Sequence, residues 1–116
     1  MNTREIVHSA LEGLDIPVFF HAWRPAYDKE PPPPLYITFH EMLNQTELSA
    51  EDTELIDGHY IALDIWGDEP TEETAEKVRN AMREMGAARR DERDIYEEDT
   101  KTYHRAMTWW FFNGKG

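Results

Sequence analysis

The run Tyr103-His104-Arg105-Ala106-Met107-Thr108-Trp109-Trp110-Phe111-Phe112 constrains the fold more than any other segment. It is far shorter than the ~20 apolar residues that cross a bilayer as a helix. It follows the acidic stretch Glu97-Glu98-Asp99 and has the β-branched and aromatic content of a long buried strand. Side chains alternate across a strand. Tyr103, Arg105, Met107, Trp109 and Phe111 therefore share one face, and His104, Ala106, Thr108, Trp110 and Phe112 share the other. Both faces carry bulky aromatics near the end. One can pack on helices; the second needs a cover that a chain of 116 residues has little left to supply. An exposed apolar area of this kind marks a subunit interface.

This length predicts one domain, 1–116, with a modest core. The hydrophobic content, 40%, with 12% aromatics, excludes a disordered chain. The absence of cysteine excludes disulfides, thiolate metal sites and a cysteine nucleophile. Twenty-four acidic residues against 12 basic ones give a net charge of −12. Such a balance repels nucleic acid, because phosphate contacts need clustered Lys and Arg. The densest basic stretch, Arg89-Arg90 with Arg93, is interrupted by Asp91, Glu92 and Asp94 and reads as a solvated loop. No apolar run has the length of a membrane span, and the first residues do not form a signal peptide, so a cytoplasmic protein at synthesis is expected.

Asn2, with Glu5 three residues on, has the spacing of a capping box. Ile6, Val7, Ala10, Leu11 and Leu14 then form a helical stripe, which Gly13 stops. Ile16 to Trp23 reads as a strand entered through Pro17, which suits an edge or a strand start. The prolines Pro31 to Pro34 read as a stiff spacer rather than a proline-recognition ligand. Leu35 to Met42 and Asp57 to Trp66 alternate and should pair antiparallel. The acidic connection between them, Asn44 to Ile56, is long for a hairpin. Thr71 caps a second helix with Glu72 and Glu73 in its first turn, and Ala75, Val78, Met82 and Met85 make its apolar stripe up to Gly86. The charged stretch from Arg89 to Thr102 offers only Ile95 and Tyr96 as a short strand. The predicted fold is α+β: an antiparallel sheet of about four strands with two helices packed on one face.

Signs of catalysis are weak. His8, His21, His40, His59 and His104 show no metal-ligand spacing. His40, His59 and His104 could meet across strands, although scattered strand histidines are more often surface or interface residues. Neither Ser9 nor Ser49 sits in a nucleophile elbow, and there is no glycine-rich phosphate loop. With so many carboxylates, chance proximity is expected, so pairs such as Asp57 and Asp64 do not by themselves argue acid–base chemistry. The expectation is a protein that is not an enzyme.

The order of these features resembles one family. It comprises the short N-terminal helix, the Ile16-Pro17-Val18 strand and the proline-led Leu35-Tyr36-Ile37-Thr38-Phe39. It continues with Asp57 to Trp66, the junction Asp64-Ile65-Trp66-Gly67-Asp68 into the Thr71 helix, and Asp99-x-x-x-Tyr103-His104-Arg105-Ala106 leading into the last strand. This pattern is similar to the tail terminator or tail completion (head-to-tail joining) proteins of long-tailed phages and prophages, over nearly the whole chain. The resemblance implies a non-enzymatic subunit without cofactor that assembles with itself into a ring, commonly a hexamer, at the head-proximal end of the tail tube. It implies tail-tube and neck or connector proteins as partners, a place in the virion, no membrane, and DNA passing through without specific binding. An acidic lining would let DNA slide. Tyr60, Trp66, Trp109 and Phe111 are the expected subunit-interface residues, in competition with a place in the core, and Glu51, Asp52 and Glu54 the expected loop contacts. One alternative is an acidic binding or regulatory module that mimics nucleic acid and engages a basic protein. Another is a small hydrolase or isomerase using His and carboxylate groups, which would need a concave pocket.

Overall fold

The computed structural model describes residues 2–22, 32–48 and 55–114, with the backbone alone for 43–48, 55–57 and 113–114. The elements in chain order are α1 (Thr3–Glu12), β1 (Val18–Phe20), β2 (Leu35–Leu48), β3 (Leu55–Gly67), α2 (Glu72–Glu84), β4 (Ala88–Glu97) and β5 (Thr102–Gly114). The strands form one sheet in the order β1-β2-β3-β5-β4. Both helices lie on one face of it, and the core between them contains Val7, Leu11, Ile37, Phe39, Ile61, Leu63, Ile65, Val78, Met82 and Trp109, all essentially sealed from solvent.

Helix α1 forms as its capping residues dictate. The Glu5 N–H donates to Asn2 Oδ1 at 2.8 Å, and the Glu5 carboxylate reaches back to the Asn2 N–H at 3.5 Å. Helix α2 ends before Gly86, whose φ of +100° is the left-handed conformation that favours glycine after a helix. Thr71 stands at the N-cap position but makes no side-chain capping bond. Its buried hydroxyl instead accepts from Arg105 Nε at 3.3 Å.

The sheet differs from the sequence expectation in three ways. First, it has five strands and is mixed, because β1 pairs parallel with β2 (Val18 opposite Ile37) while every other pair is antiparallel. A parallel pair needs a long crossover, and the connection between Phe20 and Leu35 has the length for one. Pro17 precedes this short edge strand, and its carbonyl accepts from the Ile37 N–H at 2.8 Å. Only Val18 to Phe20 of the predicted first strand is strand, and Trp23 lies outside the described residues. Second, the charged stretch read as a solvated loop is the full edge strand β4, bonded to β5 from Ala88–Trp110 to Glu97–Thr102. An edge strand has one neighbour and little to bury, so it carries no apolar alternation, and its charges discourage pairing with other chains. Third, β2 and β3 run much further than expected. Their ladder extends to Leu48–Leu55, so most of the predicted Asn44 to Ile56 connection is strand. Glu51, Asp52 and Glu54, the expected loop contacts, lie outside the described residues.

The long strands give the molecule its shape. Its extents are 53 × 28 × 25 Å and its radius of gyration is 15.7 Å, against about 13 Å for a compact chain of this length. A strand of this length spans roughly 45 Å, so β2, β3 and β5 set the long axis and run on past the helices as a three-stranded arm.

Candidate functional site

Because side chains alternate, the face of the sheet opposite the helices receives the other half of each strand: Tyr36, Thr38 and His40 from β2, Tyr60, Asp64 and Trp66 from β3, and His104, Thr108, Trp110 and Phe112 from β5. No helix among the described residues covers it. It holds two aromatic groups.

The first is centred on Trp66 and His104, paired in register across β3 and β5. Their rings stack at 3.8 Å with planes 10° apart. The Trp66 indole N–H donates to Thr38 Oγ1 at 3.0 Å, which fixes the ring, and Tyr36 lies parallel to it at 6.2 Å. His104 sits between two carboxylates, with Nε2 2.7 Å from Asp64 Oδ1 and Nδ1 3.2 Å from Glu97 Oε1. Burial pulls its pKa down, but the hydrogen bonds and charges of Asp64 and Glu97 outweigh this and hold it above the ordinary histidine value. The Tyr36 phenol is pushed up by burial and then by the Glu97 charge. When protonated, His104 donates from both nitrogens and ties β5 to Asp64 on β3 and Glu97 on β4.

This geometry predicts a pH dependence of stability. A folded-state pKa above the unfolded value of 6.5 makes the His104 contribution fully present below pH 6.5 and lost as pH rises through the folded pKa. The stability advantage of the wild type over His104→Gln in urea denaturation is expected to shrink between pH 6 and pH 9. A constant difference over that range would refute the ionic role of His104.

The second group surrounds Trp110. Its ring lies over Gly58, where an added Cβ would fall 1.9 Å from the indole. Tyr60 packs on it at 4.3 Å and Phe112 at 4.6 Å, edge to face. Glycine at 58 leaves the backbone bare for the indole to cover. Phe112 remains 52% exposed and Ile95, on neighbouring β4, 38%.

Of the expected interface residues, Tyr60 and Trp66 lie on this uncovered face. Trp109 and Phe111 do not: they are 0% and 5% exposed, inside the chain's own core beneath the helices. They are core residues, because β5 presents odd-numbered side chains to α1 and α2.

On the helix side, the residue that sequence reasoning missed is Arg105. It is 8% exposed and donates to Glu92 at 2.7 Å, with Glu72 at 2.9 Å and Asp94 at 3.5 Å. Glu92 also receives Arg79 and Arg89, each at 2.8 Å. Burial would raise the Glu92 pKa, but the bonds from Arg105, Arg89 and Arg79 prevail and hold it below the usual carboxylate range. The cluster fastens β4 to α2 and β5. The available signal was an arginine on the same strand face as Met107 and Trp109, a position that demands carboxylate partners.

The histidines do not converge. His59 faces the helices, whereas His40 and His104 occupy the opposite face, and His40 stacks on His21 at 5.5 Å. Among the described residues no group of three or more His, Cys, Asp or Glu could hold a metal ion. His59 contacts the Glu41 carboxylate and, at 3.2 Å, the Thr3 hydroxyl, both through Nδ1. A relay from acid to nucleophile uses the two ring nitrogens separately, so this trio positions the start of α1 over β3 and does not form a catalytic triad. No helix among the described residues is long and apolar enough to cross a membrane.

A family model described as "Tail completion protein gp17" matches residues 22–109. Among solved structures, a chain from the "Virion of native gene transfer agent (GTA) particle" superposes with a TM-score of 0.52 at 9% identity, over 94% of this chain and 84% of that one. At that identity the likeness shows a shared fold. No curated protein matches. The span of the family match, from the residues before β2 to Trp109 in the core strand, shows that this chain belongs to the tail completion protein gp17 family of phages.

Proposed function

We propose that this chain is a non-enzymatic virion-assembly protein that forms a ring, commonly hexameric, capping the tail tube of a phage or prophage at the head–tail junction. The observation that carries this reading is the match to a tail completion family over most of the chain. The likeness in fold to a chain of a virion particle agrees with it. Three further features support it. Among the described residues no element covers the aromatic surface on one face of the sheet. The long arm reaches beyond the helical body, as an element that meets neighbours does. The net charge of −12 suits a ring through which DNA passes without adhering. The partners are then further copies of the chain, the tail-tube protein and the neck or connector proteins, and the site of action is the virion, reached from the host cytoplasm during assembly.

The test is assembly in vitro with the cognate tail-tube protein, followed by negative-stain electron microscopy. Tubes capped at one end by rings, with elongation arrested, are the expected result. Tubes that elongate unchanged, with this chain absent from their ends, would refute the reading.

A further inference from the structure

We propose that β4 is a detachable strap: it leaves β5 as a unit, hinged at Gly86 and at the turn 98–101, while the rest of the sheet stays folded, and so decides when the outer edge of β5 is bare. The reason lies in what β4 buries. Of its 10 residues only Glu92 and Glu97 are withdrawn from solvent. Even Ile95 and Tyr96 are exposed. The Tyr96 ring meets Tyr103 at 4.9 Å, near the surface. By contrast β1, the opposite edge strand, packs Val18 and Phe20 against the core. A segment that buries so little apolar surface belongs to the low-stability end of a fold and opens without the rest. Beyond its backbone ladder to β5, β4 is fastened at two points, one on each face. Glu92 binds Arg105 and Arg79 on the helix side, and Glu97 binds His104 on the other.

Both fastenings have a substitute in the body of the molecule. Arg105 and Arg79 each also reach Glu72 of α2 at 2.9 Å. His104 also reaches Asp64 of β3 at 2.7 Å. When β4 leaves, neither the buried guanidinium nor the imidazole loses its last carboxylate. Opening therefore avoids the penalty of an uncompensated buried charge. The ends of β4 permit the movement, since Gly86 lies before it at φ +100° and the turn after it carries Lys101 at φ +53°. Departure uncovers the backbone groups of β5, from Thr102 to Trp110, that pair with β4. Such a row of unpaired N–H and C=O groups is a template for a further strand. Closed, β4 covers it with a charged edge; open, the free chain offers that template, whether or not it caps a tube.

The test is native-state hydrogen exchange of the full chain, followed amide by amide by NMR over low urea concentrations. The bonded amides of β4 are expected to exchange through an opening that is easier than global unfolding and barely depends on urea. Those between β2 and β3 should exchange through unfolding that depends steeply on urea. Two variants separate the routes. Val7→Ala, in the core under α1, should speed exchange between β2 and β3 by roughly tenfold or more and leave β4 unchanged. Glu97→Ala, which removes one fastening, should speed β4 by roughly tenfold, the factor carried by one charge-assisted hydrogen bond. Equal rates and urea dependence in β4 and in the β2–β3 ladder would mean that β4 opens only with the whole molecule, and so would a Val7→Ala effect as large in β4 as in that ladder. Either result would overturn the proposal, as would an unchanged β4 in Glu97→Ala.

Discussion

Trp109→Ala is expected to destabilise the monomer by about 4 kcal/mol, the loss typical of truncating a fully buried tryptophan, whereas Trp110→Ala, one residue further along, costs about 1 kcal/mol, the scale of one aromatic pair. The contrast follows from the pleat of β5. Trp109 is sealed among Met82, Ile61 and the rest of the helix-side core. Its truncation leaves a cavity that the sheet and helices cannot close. Trp110 lies over Gly58 and Tyr60 on the opposite face, where solvent replaces the lost ring. Urea denaturation of the two variants measures the difference. Equal losses of stability would mean that the two faces of β5 have been assigned wrongly.

Glu92→Gln is expected to cost about 3 kcal/mol at neutral pH, because removing one partner from a buried ionic cluster leaves the others uncompensated. Glu92 is the point where Arg79, Arg89 and Arg105 converge. Without its charge, three guanidinium groups face one another with only Glu72 and Asp94, both largely exposed, to balance them. Arg105→Met is milder, since Glu92 then keeps two of its three arginines. The pH dependence has the opposite sign to that of His104. The folded-state pKa of Glu92 is depressed below its ordinary 4.5, so its contribution is complete above that value and disappears as pH falls through the folded pKa. The gap in stability between wild type and Glu92→Gln therefore closes on acidification. A gap that persists well below pH 4 would show that Glu92 acts through packing and hydrogen bonding and not through its charge.

Some of this protein was legible in its residues because the interactions are local. The capping box of α1, the stripe of Val78 and Met82 on α2, the Gly86 stop and the two faces of β5 depend only on near neighbours in sequence, and periodicity exposes them. Membership in the tail completion family was also within reach, through the order of elements and the Asp64 to Thr71 junction. The β4 strand was not. Ala88 to Glu97 contains no alternation, and its strand conformation comes from hydrogen bonds to β5 and from the arginines that hold Glu92. Thr71 shows the same limit. Sequence gives it the right position at the start of α2, but its hydroxyl serves Arg105, which arrives from a distant strand.

The sequence by itself determined which side chains of each strand point together, since that needs only the alternation of the backbone. It also set the acidity of the chain, and with it the repulsion that any assembly must manage. Only the tertiary structure decided which face of the sheet the helices cover. That choice sends Trp109 and Phe111 into the core and leaves Tyr60, Trp66 and Trp110 outside. It depends on which side α1 and α2 dock, and two aromatic faces on one strand satisfy either choice equally well.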